Sequence, residues 1–206
     1  MLYERYPALV ACKDEIENAV LALIDCYKNG GKLLLCGNGG SCADGDHIVG
    51  ELMKGFLLKR TVGDTFTSRL QEIGAEDAKY ISDHLQGSLP AISLSSQTAL
   101  VSAFANDVSP DMVYAQMTYG YGKEGDVIIG LSTSGNSKNV VYAAKVAKAK
   151  KLVTIAMTGE KESELSRICD ITIRVPESET YKIQELHLPV YHYICAKVEQ
   201  HFFEEN

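Results

Sequence analysis

The sequence predicts an α/β fold in which a doubly wound, five-stranded parallel sheet is flanked by helices on both faces. Five short apolar runs alternate with segments of helical periodicity, the pattern of parallel strands buried on both faces. Loops rich in glycine and hydroxyl groups follow two of these strands. No internal repeat, low-complexity tract or linker interrupts the 206 residues, so we expect one domain over residues 1–206.

The predicted elements follow from local patterns in chain order. Apolar residues at helical spacing predict a first helix over residues 8–29, which Gly30 and Gly31 end. The other predicted elements are strands at 32–36, 90–94, 126–131, 152–157 and 171–175, and helices at 43–58, 97–104, 111–121, 137–150, 163–168 and 180–203. The polar stretch 60–88 is expected to hold one short helix in a surface excursion.

Composition narrows the classes of function. The net charge of −7 argues against nucleic-acid binding, so an anionic ligand has to be held by local donors. The absence of an 18-residue apolar run and of a signal-peptide pattern predicts no membrane association and a cytoplasmic protein. The six cysteines show no C-x-x-C spacing, as expected of free thiols in a reducing compartment.

The segment 125–137 is the most informative part of the chain. An apolar strand ends in a loop with four hydroxyl donors, and a helix starts immediately after it. The donors are Ser132, Thr133, Ser134 and Ser137. Backbone N–H groups and the dipole at a helix N-terminus favour an anion. The loop lacks the lysine of a nucleotide P-loop, so it predicts a sugar phosphate rather than ATP, and no nucleotide or flavin motif is present.

A second loop follows the first strand and is rich in glycine. It comprises Gly37, Asn38, Gly39, Gly40 and Ser41, and it does not match the G-x-G-x-x-G dinucleotide fingerprint. An ordinary strand-to-helix turn is the alternative explanation. Because ligands of doubly wound sheets bind at the carboxyl ends of strands, the two loops together predict a ligand crevice.

Ionisable side chains on two helices supply the candidate chemistry. His47 and Glu51 lie four residues apart on one face of the helix after the glycine-rich loop, where a weak charge contact is the alternative. The last helix carries Gln184, Glu185, His187 and His192. Gln184 and His192 are about 80° apart on a helical wheel. Such a set can bind a divalent metal if it faces one point, or can simply hydrogen-bond to neighbouring elements.

One further polar pair and the type of reaction complete the reading of the residues. Asn106 and Asp107 follow the apolar segment 99–105 and either present polar groups at a strand–helix edge or form a plain turn or cap. A phosphate cradle with a carboxylate and an imidazole matches aldose–ketose isomerisation. That reaction needs a base to move a proton between C1 and C2 and an acid to move protons at the oxygens.

These motifs together resemble a known family. The segments that carry the resemblance are Cys36–Ser41, Asp46, His47, Glu51, Ser102–Asp107, Ser132–Ser137, Ile183–His187 and His192. They resemble the sugar isomerase (SIS) domain, and within it the bacterial phosphoheptose isomerases, over residues 8–203. The resemblance implies a flavodoxin-like fold and conversion of sedoheptulose 7-phosphate to D-glycero-D-manno-heptose 7-phosphate through an enediol, for surface polysaccharide.

The resemblance also implies roles for individual residues. Glu51 and His192 correspond to the acid–base pair. Substrate contacts are implied for Asn38, Gly39, Gly40, Ser41, His47, Glu51, Asn106, Asp107, Ser132, Thr133, Ser134, Ser137 and Gln184. A zinc site is implied for His47, Glu51, Gln184 and His192. The family's homotetramer shares each active site between subunits, which implies that the N- and C-terminal helices lie in an oligomer interface.

Two departures from the family pattern leave alternatives open. Lys54-Gly55-Phe56 stands where family members commonly carry Gly-Arg-aromatic, and the stretch 60–88 is longer than expected. One alternative is therefore an isomerase of another sugar phosphate. The other is a non-catalytic SIS module that binds a protein, as one relative binds a replication-initiation protein. Such a module would be free to lose the acid–base pair that this chain keeps.

Overall fold

The computed structural model describes residues 2–74 and 76–204. In this part of the chain, five strands form one all-parallel sheet of order β2-β1-β3-β4-β5, which confirms the doubly wound fold. The strands are β1 (Leu33–Gly37), β2 (Ala91–Ser93), β3 (Val127–Leu131), β4 (Val153–Thr158) and β5 (Ile171–Arg174). Leu35 at the centre of β1 pairs with Ser93 of β2 and with Ile129 of β3.

Helices connect the strands and flank the sheet. They are α1 (Leu2–Arg5), α2 (Lys13–Lys28), α3 (Gly40–Met53), α4 (Asp64–Glu72), α5 (Ala78–His84), α6 (Thr98–Asp107), α7 (Val113–Tyr121), α8 (Lys138–Ala149), α9 (Glu164–Ile168) and α10 (Thr180–Phe203). Short 3₁₀ turns occupy Pro7–Cys12, Leu94–Ser96 and Pro110–Met112. Among the residues described, no helix combines the length and the apolar character that crossing a membrane requires.

Several predicted helix boundaries were wrong. The first predicted helix is divided into a 3₁₀ turn and α2, and the excursion 60–88 holds two short helices instead of one. Helix α3 starts at Gly40 rather than 43, because the carbonyls of Asn38 and Gly39 already accept helical N–H groups. It ends at Met53 rather than 58, because the N–H groups of residues 56–58 donate to the carboxylate of Glu199 instead.

The core forms two apolar layers, one on each face of the sheet. On β1, Leu33 and Leu35 pack in the layer that contains α2, α3 and α10. Leu34 and Cys36 point the other way and pack in the layer that contains α7 and α8. Because successive side chains of a strand alternate between faces, covering both faces makes each strand a continuous apolar run.

The order of the strands places a crevice beside β1. The connection after β1 leads through α3 to β2 on one side, and the next connection leads back through α6 and α7 to β3 on the other side. The loops after β1 and β3 therefore diverge at the carboxyl edge of the sheet. The glycine loop (37–41) lies on one side of this crevice and the serine loop (132–137) on the other.

Candidate active site

The glycine loop leads β1 into α3 and exposes bare backbone. Ser41 N donates to Asn38 O across 3.1 Å, which starts the helix, and the Ser41 side chain is buried. A Cβ atom on Gly40 would lie 2.6 Å from Gln184 Nε2, so the side-chain amide of Gln184 rests directly on this loop. Apart from its own chain neighbours, no described residue has an atom within 4 Å of the position that a Cβ of Gly39 would take, so this face is open to a ligand.

The serine loop is a compact turn ahead of α8. Ser132 Oγ and Ser137 Oγ lie 3.0 Å apart and are joined by a hydrogen bond. Gly135 has φ of +65°, and a Cβ there would collide with the hydroxyl of Ser163, so the turn requires glycine. The N–H groups of Ser137 and Lys138 have no acceptor among the described residues. These donors, at the N-terminus of α8, are suited to hold a phosphate.

The glycine loop is connected to the first turn of α8, directly after the serine loop, and to two neighbouring side chains. The side-chain amides of Asn38 and Asn139 exchange two hydrogen bonds of 2.9 Å. Tyr114 OH and Ser95 Oγ both donate to the carbonyl of Gly37, across 2.7 and 3.3 Å. None of the three partners Asn139, Tyr114 and Ser95 was predicted from the sequence. Ser95 follows β2, so the rule that ligand loops leave strand ends would have found it, whereas nothing in the sequence indicated Tyr114.

The predicted acid–base residues meet in one cluster between α3 and α10. His47 Nε2 lies 3.1 Å from Glu51 Oε1 and 3.5 Å from His192 Nε2. The Glu51 side chain is 13% exposed and that of His47 is 42% exposed. Burial lowers the pKa of His192, and the nearby His47 lowers it further while Glu51 opposes this. The cluster therefore brings a carboxylate and two imidazoles together, and these are groups that can give and take protons.

Lys54 and Phe56 border this cluster. Lys54 Nζ donates to Glu51 Oε2 across 3.3 Å, which adds a positive charge next to the carboxylate. The ring of Phe56 packs against His192 with centroids 5.5 Å apart. The departure from the family pattern noted in the sequence therefore lies in direct contact with the candidate acid–base pair.

A buried ion pair holds the end of α3 in place. Arg60 and Glu199 are both buried, and Arg60 Nε donates to Glu199 Oε1 across 2.7 Å. Arg60 also donates to the carbonyls of Glu51 and Leu52, and Glu199 accepts three backbone N–H groups from residues 56–58. Burial by itself raises the pKa of Glu199, but these backbone donors and Arg60 hold it below its ordinary value.

The residues of α10 do not all face one point. Gln184 rests on the glycine loop, roughly 12 Å along the helix axis from His192 by the rise per residue. His187 is fully buried, with Nε2 3.3 Å from the carbonyl oxygen of Thr158, and Glu185 is exposed. The possibility that both histidines of α10 face one metal is wrong, because five helical residues rotate His187 about 140° from His192.

Asn106 and Asp107 lie at the C-terminal end of helix α6. Helix α6 continues to Asp107, so the pair ends a helix and does not form a strand–helix edge. Both side chains are exposed, and Asn106 Nδ2 donates to Asp107 Oδ1 across 2.9 Å. Within the described chain, neither residue has a hydrogen bond to the glycine or serine loop.

The acid–base cluster is also distant from the glycine loop within one chain. Eleven residues separate Gly40 from Glu51, which is roughly 16 Å along α3. No hydrogen bond in the described part of the chain joins Glu51 or His192 to the serine loop. One chain thus carries two separate half-sites, one suited to phosphate and one suited to proton transfer.

The cluster between α3 and α10 offers donor atoms that suit zinc. In residues 2–74 and 76–204, no three His, Cys, Asp or Glu side chains form a ready-made metal site. The distances from His47 Nε2 to Glu51 Oε1 and to His192 Nε2, 3.1 and 3.5 Å, bracket the edge of about 3.3 Å expected for a tetrahedral zinc site. Two imidazoles and a carboxylate fit zinc chemically, and further ligands would have to complete the site.

Comparison with known proteins gives the family. Models of the SIS domain match residues 89–194 and residues 8–83. The chain is 35% identical to a phosphoheptose isomerase of Aneurinibacillus thermoaerophilus over 191 residues, which cover 93% of this chain and 83% of that protein. It is 37% identical to a phosphoheptose isomerase of Maridesulfovibrio salexigens over 202 residues, covering 98% of this chain and 83% of the relative.

The chain belongs to the SIS-domain family.

A solved structure agrees with this assignment to the SIS-domain family. A phosphoheptose isomerase from Francisella tularensis superposes with a TM-score of 0.78 and 28% sequence identity, covering 95% of this chain and 91% of that one. The two matched SIS-domain segments contain every predicted site residue. Residues 8–83 include the glycine loop, His47 and Glu51, and residues 89–194 include Asn106, Asp107, the serine loop, Gln184 and His192. The resemblance inferred from the motifs is thereby confirmed.

Proposed function

We propose that the protein is an isomerase that converts sedoheptulose 7-phosphate to D-glycero-D-manno-heptose 7-phosphate. The observation that carries the proposal is the cluster in which Glu51 and His192 both contact His47. A carboxylate and an imidazole held together are the groups that aldose–ketose isomerisation needs. The phosphoheptose isomerases to which the chain is similar supply the choice of a heptose phosphate.

The proposed reaction moves two protons and changes no net oxidation state. Glu51 takes a proton from C1 of the ketose while His192 gives a proton to the oxygen on C2, which forms the enediol. His192 then takes the proton of the C1 hydroxyl, and Glu51 returns its proton to C2. The product is the aldose, and both side chains end in their starting protonation states. This makes the enzyme an intramolecular oxidoreductase.

The substrate is proposed to bind by its phosphate at the serine loop. Ser132, Thr133, Ser134 and Ser137 supply hydroxyl donors, and the N-terminus of α8 supplies N–H groups. The sugar contacts proposed are Asn38, Gly39, Gly40, Ser41, His47, Asn106, Asp107 and Gln184. The open face of Gly39 and the adjacent amide of Gln184 support sugar binding at the glycine loop.

Zinc is the proposed cofactor. His47, Glu51 and His192 would hold it. Gln184, the fourth ligand that the family resemblance implies, rests on the glycine loop of the same chain, so it would have to reach the ion from another subunit. When bound, the ion would polarise the substrate oxygens and favour the enediol. The lone pairs that converge within the cluster support the proposal.

The distance between the two half-sites supports an active site shared between subunits. We propose a homotetramer in which the acid–base cluster of one chain meets the phosphate-binding loop of another. Helix α6 has no buried residue in this single chain although it is largely apolar. Leu21 on α2 and Leu188 on α10 are 62% and 40% exposed, which supports an interface along the N- and C-terminal helices. The six free thiols support a cytoplasmic location.

Proton NMR of sedoheptulose 7-phosphate with the purified protein in D₂O tests the function. We expect an aldose phosphate that carries deuterium at C2, because the enediol exchanges with solvent. Glu51→Gln is expected to abolish both the aldose product and the incorporation of deuterium. Binding of the sugar phosphate, measured by calorimetry, is expected to persist. Glu185→Gln is the matched control, since Glu185 is an exposed carboxylate on α10, and it should leave turnover unchanged.

The alternatives give different outcomes in the same assay. No turnover of the heptose phosphate, with turnover of another member of a C5–C7 sugar-phosphate panel, would replace the substrate. No turnover of any member, with capture of a protein partner, would favour the non-catalytic module. Full activity in Glu51→Gln would remove the proposed base.

A further inference from the structure

A hydrogen-bond chain lies directly behind the acid–base cluster and takes no part in the proposed proton transfers. Tyr191 OH donates to Asp44 Oδ1 across 3.2 Å, and the same phenolic oxygen lies 3.0 Å from His47 Nδ1. Tyr191 is 2% exposed, and its ring packs edge-on against His47 and His192, with centroids 5.5 and 5.0 Å apart. Packing and hydrogen bonding together therefore fix the position of the Tyr191 side chain.

The donors and acceptors in this chain fit one arrangement when Asp44 is ionised. A carboxylate only accepts, so the single phenolic proton of Tyr191 points to Asp44. The phenolic oxygen then offers His47 only a lone pair. The Nδ1 atom of His47 must therefore carry a proton to make the 3.0 Å contact. A neutral His47 ring consequently keeps Nε2 unprotonated.

Glu51 favours the opposite tautomer. Its Oε1 lies 3.1 Å from His47 Nε2, and an ionised carboxylate attracts an N–H group. A proton on Nε2 would occupy the lone pair that faces His192 Nε2 across 3.5 Å. Two carboxylates thus compete for the single proton of a neutral His47, one directly and one through a tyrosine.

We propose that Tyr191 and Asp44 are positioning residues that hold His47 as the Nδ1–H tautomer, so that its Nε2 lone pair converges with Glu51 and His192. Partners of this kind orient a ligating histidine and raise its basicity. Asp44 Oδ2 is buried and has no hydrogen-bond partner among the described residues, so Tyr191 is the donor that this carboxylate has within them.

The inference rests on the proposed function, because that function makes His47 a zinc ligand and a substrate contact. The tautomer itself is a property of the metal-free protein and can be measured there. The ¹⁵N chemical shifts of the His47 ring, recorded without metal at a pH where the ring is neutral, report the tautomer. The wild-type ring is expected to carry its proton on Nδ1. In Tyr191→Phe the acceptor is gone, so the proton is expected to move to Nε2 and face Glu51.

Substitutions at Asp44 provide a second route to the same answer. In Asp44→Ala the phenolic proton of Tyr191 loses its acceptor and turns to His47 Nδ1, so the Nε2–H tautomer is expected. Asp44→Asn retains a carbonyl oxygen that accepts from Tyr191, and it is expected to keep the wild-type tautomer. If Tyr191→Phe does not fold, as judged by circular dichroism, these two variants decide the question.

Tyr193→Phe is the matched control. Tyr193 lies on the same helix and also donates to a carboxylate, Glu17 Oε1, across 2.7 Å. Its loss should leave the His47 tautomer unchanged. Zinc affinity, measured by competition with a chromophoric chelator, is expected to fall about 10–100-fold in Tyr191→Phe and to stay unchanged in Tyr193→Phe.

Two results would overturn the inference: a wild-type ring protonated on Nε2, or the same tautomer in wild type and Tyr191→Phe. The expected tautomer shift in a protein that isomerises no sugar phosphate would support the inference and refute the proposed function. The two proposals therefore fail separately.

Discussion

Replacing Arg60 by methionine tests whether the buried ion pair holds the end of α3. Methionine fills much of the space of the arginine stem but donates no hydrogen bond. The substitution leaves the Glu199 carboxylate without its cation. It also removes the donors to the carbonyls of Glu51 and Leu52, which lie 3.0 and 2.7 Å from the guanidinium nitrogens.

The magnitude follows from burial. Both Arg60 and Glu199 have side chains with 0% exposure, and removing one member of a buried ion pair costs about 3–5 kcal/mol. Two carbonyls that lose a donor are part of this cost, at about 1–3 kcal/mol for each if water cannot replace it. For a chain of this size, we expect the melting temperature to fall by about 6–20 °C.

Urea unfolding followed by circular dichroism measures the change. The midpoint should fall while the slope stays constant, since the same surface is exposed on unfolding. Lys79→Met is the matched control. Its ion pair with Asp83 has a similar length, 2.6 Å, but side chains that are 86% and 54% exposed, and its midpoint should not change.

The double variant Arg60→Met/Glu199→Met separates charge from hydrogen bonding. If Glu199 acts mainly as the acceptor for the N–H groups of residues 56–58, removing both charges will not restore stability. Recovery to wild-type stability would contradict that role. A loss below about 1 kcal/mol in Arg60→Met, the size typical of an exposed pair, would refute the whole argument.

Three other substitutions test separate parts of the structure. Gly135→Ala forces a side chain into φ +65° and against Ser163, so calorimetry should show weaker phosphate binding; unchanged affinity would contradict the loop geometry. Asp126→Asn replaces the buried carboxylate that Lys32 contacts at 2.6 Å by a neutral amide. It should lower the free energy of unfolding, measured in urea, by about 2–4 kcal/mol. Burial lowers the pKa of His187 from 6.5 to about 4. As the pH falls below 6.5, His187 takes up a proton in the unfolded chain before it does so in the folded chain. The free energy of unfolding therefore falls by about 1.4 kcal/mol for each unit by which the pH drops from 6.5 to 4. In His187→Gln the free energy of unfolding should depend less steeply on pH in this range. An unchanged dependence would refute the role of His187.

Much of the candidate site could be predicted because its residues carry local signals. The hydroxyl groups of the serine loop and the glycines of the glycine loop directly follow apolar runs, and strand ends of a doubly wound sheet mark ligand crevices. The spacing of His47 and Glu51 already placed them on one helical face. The positions of Asn106 and Asp107 and the direction of His187 depended on helix limits and rotation, which the local pattern did not define.

The sequence by itself determined the doubly wound sheet, the two loops at its edge and the pairing of His47 with Glu51. Each of these depends on neighbours within a few residues, through the alternation of strands and the periodicity of helices. Only the tertiary structure decided the contacts of Tyr191 with Asp44 and of Arg60 with Glu199, which are 147 and 139 residues apart in the chain. Those contacts depend on how α10 is placed and rotated against α3, because a rotation by one residue would turn every one of these side chains to another face.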